Sequence, residues 1–197
     1  MSGYRTAVDR FAASSGAQAI GSGCYPTKSG RQDTFQTGQL VMVPFWGLSQ
    51  IVGYSRDKVL GQECDFCHIV PLRLDEPIKY THQTMVELGI RPLMTAPQIR
   101  HLAVEPLQVG EVSNMPGTRR YQRWIRLLRS GRAGARRKIL TEMAAVEAAG
   151  SILRFREKDL RTTVEKNYRA EVTAVLHCSA QKAAEFVRQS CRLELAG

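Results

Sequence analysis

The 197-residue chain has no apolar run near the ~20 residues that a membrane-crossing helix needs, so no membrane partner is expected. No apolar core of a secretory signal follows the first residues. Arg5, Arg10 and the nearby serines faintly suggest an organelle transit peptide, but Asp9 falls where such peptides lack acid. The five cysteines (Cys24, Cys64, Cys67, Cys178, Cys191) are odd in number and scattered. Free thiols in a reducing, cytoplasmic compartment fit that pattern better than a disulfide framework. Catalytic signatures are missing as well. No Ser or Cys sits in a nucleophile elbow, no glycine-rich phosphate loop is present, and His68, His82, His101 and His177 are isolated. Cys64-Asp65-Phe66-Cys67-His68 is the one metal-like cluster, and a zinc site needs a second. On a strand, Cys64 and Cys67 would also face opposite sides. Neither a metal nor a cofactor is therefore expected, and a thiol or metal enzyme would rest on Cys64, Cys67 and His68 alone.

Acid is scarce. Lys and Arg number 28 against 18 Asp and Glu, for a net charge of +10 and a pI near 9.7. The shortage is greatest from Arg119 to Lys138, which holds nine cations, eight of them Arg, and no acid. Within it Tyr121, Trp124, Ile125 and Leu128 recur at the spacing of one helical face. The segment reads as a helix with an apolar face for a core and an arginine face, including Arg119, Arg120 and Arg123, for a polyanion. Nucleic acid phosphate is the commonest such partner, and Arg pairs it in a fork. The plain alternative is a solvated basic surface.

Hydrophobic residues make up 43% of the chain, enough for a core. Residues 1–34 are rich in Ser, Gly, Ala and Thr and read as a flexible tail. From Phe35 the period becomes two. Strands are predicted at Leu40–Val43, Leu48–Tyr54, Glu63–Val70 and Pro77–Thr81, with a turn over Lys58–Gln62. Four short strands separated by Gly and Pro turns suggest a small antiparallel barrel. The aromatic pair Phe45-Trp46, in a turn, suits a partner contact. A helical turn is predicted at Gln83–Leu88, and Thr95 and Pro97 open a further short helix. Gln108–Thr118 is a linker, placing one domain at 35–107 and another at 118–197. The second is helical, with helices at Arg119–Arg129, Ala135–Ala149, Arg156–His177 and Ala180–Leu195. Ile139, Met143 and Val146 are the inward residues of one, and Leu160, Val164, Tyr168, Val172 and Val175 those of the next.

The order of several short motifs resembles a known family. Phe35-x-x-Gly38, Val41 to Pro44 with Gly47, Gly61 and Phe66, and Gly89-Ile90-Arg91 look like the amino-terminal module of CarD/CdnL-type bacterial transcription regulators. Arg119-Arg120-Tyr121, Leu128-x-Ser130-Gly131 and the Glu157-Lys158 to Glu171 helix look like their carboxy-terminal module. The resemblance covers about residues 35–176. It implies an α+β chain, with a Tudor-like barrel that docks on the RNA polymerase β subunit and a helical domain that contacts promoter DNA near the upstream edge of the −10 element. It implies stabilisation of the open complex without enzymatic activity, by a monomer in the bacterial nucleoid. Lys79 stands where the family has a polymerase-contacting arginine. A second such arginine falls at Asp57, between Arg56 and Lys58, and a one-residue shift of the turn would supply it. Arg119, Arg120 and Lys158 stand at DNA-contacting positions. The family's wedge tryptophan falls at Gly117, which has no side chain to insert. Two alternatives stay open: a divergent polymerase-binding paralogue that holds DNA loosely, and an RNA-binding or ribosome-associated basic module, since a barrel with a basic helix also suits RNA.

Overall fold

The period-two patterning becomes a long hairpin. The computed structural model describes residues 35–191 apart from 75, 108, 110 and 111, so the expected tail and residues 192–197 lie outside the described residues. Strand β1 (Leu40–Val43) pairs with β2 (Gly47–Val59), and β2 with β3 (Gln62–Pro71), all antiparallel. β2 and β3 are longer than predicted because their turn contracts to Leu60-Gly61. Both residues are left-handed (φ 51° and 82°), the backbone whose twist suits a two-residue hairpin, so Val59 pairs with Gln62 directly. β4 (Ile78–Thr81), a strand the sequence predicts, joins β3, whereas β5 (Arg91–Pro92), which the sequence did not reveal, joins β1.

The expected barrel is instead an open sheet. Its order is β4-β3-β2-β1-β5, with β4 and β5 at opposite edges. Strand pairing does not close it. The chain passes from β4 straight into helix α1 (His82–Glu87), capped by Thr81, and α1 lays Met85 on the sheet core of Val41, Val43, Ile51, Cys67, Ile69, Tyr80 and Ile90.

Helices follow: α2 (Ala96–Val104), a 3-10 turn (Val112–Asn114), α3 (Gly117–Arg129), α4 (Ala135–Ala148), α5 (Phe155–Leu176) and α6 (Ala180–Ser190). The α+β order and the helix starts agree with the sequence reading to within about two residues, because the signals are local. Thr95 and Gln98 form a capping box, and α4 ends before Gly150 in the left-handed region. The predicted stripes are buried, with Trp124, Ile139, Met143, Val146, Leu160, Val164, Tyr168 and Val172 in one helical core. Met94 and Ile99 belong to that core too. The two apolar clusters therefore divide before Met94, and α2 packs with the helices rather than with the sheet.

The two halves are joined by polar groups. Glu171, fully buried on α5, accepts two hydrogen bonds from Arg91 of β5 (2.7 and 2.8 Å) and one from the Met94 N–H (3.0 Å). Arg136 of α4 stands 3.9 Å from the same carboxylate and donates to the Val43 carbonyl at 3.4 Å. Asn167 Nδ2 donates to the carbonyls of Pro44 and Phe45 at the β1–β2 turn, and its Oδ1 accepts from Arg73. The Phe45-Trp46 turn, expected to be an exposed contact, is thus part of the joint. Phe45 packs on the helical core with Arg129 over its ring (5.7 Å to the centroid), and Trp46 packs on the sheet core. Cys67, Cys178 and Cys191 are free thiols, as expected, but Cys64 is disulfide-bonded.

Candidate nucleic-acid interface

Folding sorts the arginines of the Arg119–Lys138 segment into two groups. One group turns inward, to acids supplied by other helices. Arg120 is buried and donates to both oxygens of the buried Glu157 of α5, at 3.2 and 3.4 Å. Arg123 donates to Glu142 of α4 at 3.2 and 2.8 Å, and Trp124 Nε1 bonds the same carboxylate at 2.9 Å. Glu142 raises the pKa of the Arg123 guanidinium. Arg136 and Arg137 are buried too. Burial lowers the Arg136 pKa to about 10, against the opposing pull of Glu171, so it stays charged at neutral pH. Arg137 donates to the Ser190 carbonyl at 2.7 Å. The acid-free segment is therefore not left uncompensated: Glu142, Glu157 and Glu171 neutralise part of it from a distance in sequence.

The other group faces solvent. Arg119, Arg126, Arg129 and Arg132 are exposed, and so are Arg154, Arg156 and Lys158 at the start of α5. Among the described residues, none of these seven enters an ion pair. Arg119 and Arg126, seven residues apart, share one side of α3. The starts of α3 and α5 are adjacent: a Cβ on Gly117 would lie 3.0 Å from Arg154 Nε and 3.1 Å from its Cδ. Gly117 is buried under that arginine, so the place expected for a wedge is occupied by a cation. Of the four predicted DNA-contacting residues, Arg119 and Lys158 are brought to one exposed end. Arg123 is partly exposed but held by Glu142, and Arg120 is sequestered. Phe155, Ile152 and Arg154 escaped the sequence reading, although Phe155 falls off the apolar stripe of its helix and that irregularity was visible.

The residues expected to meet polymerase lie on the sheet. Lys79 of β4 is half-exposed and pairs with Asp57 Oδ2 at 2.8 Å. That ammonium is the chief cause of a lowered Asp57 pKa. Arg56 forms a two-point pair with Asp65 (2.7 and 3.3 Å), and Lys58 is exposed. The register sets Arg56 opposite Asp65 and Asp57 opposite Cys64, so Arg56 and Lys58 occupy the face opposite to Asp57 and Lys79. Beside Lys79, Ser55 Oγ stands 2.8 Å from His68 Nε2 and donates to Asp57 Oδ2 at 3.2 Å. The carboxylate bonds the serine and not the second imidazole nitrogen, so it does not orient the ring as in a nucleophilic triad. No group of three metal-ligating side chains occurs among the described residues, nor any helix long and apolar enough to cross a membrane. Compared with protein-family models and with curated proteins, the chain matches none.

Proposed function

We propose that this chain is a non-enzymatic transcription regulator that docks on the RNA polymerase β subunit through its sheet and holds promoter DNA near the upstream edge of the −10 element through its helices, as a monomer in the bacterial nucleoid. The Tudor-like character of the sheet belongs to the same proposal. One observation carries it. After three buried glutamates have taken their arginines, an exposed set of cations still remains at the adjoining starts of α3 and α5. Cations that folding leaves without counter-charge gain most from a phosphate backbone, where binding releases condensed counterions. The buried joint around Glu171 would hold a polymerase-bound sheet and a DNA-bound helical face in one orientation.

DNA affinity should therefore fall steeply with salt. If about four to six phosphates are neutralised, log K against log salt should slope at roughly −4 to −5. Arg119→Ala and Lys158→Ala should each flatten the slope by about one unit. Arg120→Ala should leave the slope alone and lower the melting temperature, because its guanidinium faces Glu157. Salt titrations by fluorescence anisotropy check this. Slopes indifferent to Arg119 and Lys158 would remove DNA from the reading.

Polymerase docking is tested on the full chain, since Met94 and Ile99 tie residues 35–107 to the helical core. Lys79→Glu sets like charge against an acidic partner surface and should weaken β-subunit binding about tenfold or more. Because Lys79 already pairs with Asp57, Asp57→Asn is the control: it frees the ammonium and should leave binding equal or tighter. Equal binding by the wild type and Lys79→Glu in surface plasmon resonance would sink the docking half.

A further inference from the structure

Among the exposed cations at the start of α5 stand two exposed apolar side chains. Ile152 is 81% exposed and Phe155 is 78% exposed, although the intervening Leu153 is buried in the helical core. Leu153 anchors the α4–α5 connection, so its neighbours project from a fixed point. Phe155 opens a helix whose inward stripe begins at Leu160, and the core makes no use of it. Exposed cations accompany the pair: Arg154, Arg156 and Lys158 in the same segment, and Arg119 on the first turn of α3, whose Gly117 meets Arg154. Burial raises the Tyr121 pKa, and Arg156 and Asp159 act on the same phenol in opposite senses, which places both on the α3 side. Glu157 is turned inward to Arg120, and Asp159 is the exposed acid at the rim.

An intact duplex backbone would use the cations and leave the phenyl ring in water. An anionic membrane would take both, but two side chains bury too little for stable anchoring. Unpaired bases offer a flat apolar face for the ring and phosphates for the guanidinium groups at nucleotide spacing. Resting on the DNA-binding reading above, we propose that Phe155 and Ile152 contact the bases of unpaired DNA while Arg154, Arg156 and Lys158 hold the flanking phosphates, so that the chain prefers melted DNA to duplex.

The full chain should be titrated by fluorescence anisotropy, at one salt concentration, against a labelled duplex and the same duplex with a central unpaired segment. The wild type should favour the unpaired form by about tenfold, the scale of one stacked base. Phe155→Ala should erase that preference while duplex affinity stays within about twofold, and Phe155→Trp should keep it. Equal affinity of the wild type for the two DNAs overturns this inference and leaves duplex binding standing. So does an equal loss on both DNAs in Phe155→Ala. Binding to phosphatidylglycerol vesicles that depends on Phe155, without any preference among DNAs, assigns the pair to a membrane surface and overturns it. Tighter binding to single-stranded RNA of the same sequence assigns it to RNA. Loss of wild-type binding to both DNAs overturns the inference and the DNA half of the proposed function together.

Discussion

Glu171→Ala is expected to cost roughly 3–5 kcal/mol, the usual penalty for removing one partner of a buried ion pair. That is a large share of the ~5–15 kcal/mol by which a domain is stable. The cost has three sources. Arg136 is buried and loses its only acid among the described ion pairs. Arg91, mostly buried, loses both of its hydrogen bonds to carboxylate oxygens. The Met94 N–H is left without its acceptor. For a chain of this size the melting temperature should drop on the order of 10 °C. Glu171→Gln is the informative companion, because it keeps the shape and an acceptor oxygen but not the charge, and it should fall between alanine and the wild type. Urea unfolding followed by fluorescence checks both variants. A loss below about 1 kcal/mol for alanine would mean that water compensates the arginines and that the joint is not a desolvated network.

Gly89→Ala is the other large effect. Gly89 has φ +70°, and a Cβ there would lie 2.1 Å from the Arg129 carbonyl oxygen and 2.6 Å from the Gly131 nitrogen. Both obstacles are main chain, so no side chain can yield. Gly131 is itself left-handed, and the two glycines bring the end of the sheet half against the end of α3. The left-handed backbone alone costs about 1–2 kcal/mol for a residue with a Cβ. Displacing the α3–α4 turn should raise the total to roughly 3–4 kcal/mol or more, in the range reserved for strain at special backbone positions. Gly61→Ala separates the two contributions. It has φ +82° with nothing within 4 Å of its would-be Cβ, so it should cost only the conformational part. Equal losses in thermal denaturation for the two variants would refute the close approach of the two backbones.

The amino-acid sequence by itself determined what depends on neighbours a few residues away. Thr95, Pro97, Gly131 and Gly150 mark helix ends because caps and left-handed residues act over one turn. Trp124, Ile139, Leu160 and Tyr168 are inward because a 3.6-residue period is visible in any short window. The net charge, and with it the expectation of a polyanionic partner, is a sum that no fold changes. Only the tertiary structure decided which cations remain available. Arg120 reaches an acid 37 residues on, Arg123 one 19 residues on, and Arg91 one 80 residues on. In sequence Arg119 and Arg120 are equivalent neighbours; on the helix they are a turn of ~100° apart, and only the second faces Glu157. The same holds for the sheet. Pairing period and turn signals placed four strands, but whether their edges meet depends on what covers the core, and Met85 of α1 covers it here. Phe45-Trp46 looked like an exposed turn because Asn167, whose amide donates to the Pro44 and Phe45 carbonyls, lies more than 120 residues away. Charge neutralisation, edge closure and burial of a turn are each settled by groups that meet only after the chain has folded, and no local pattern encodes which groups those are.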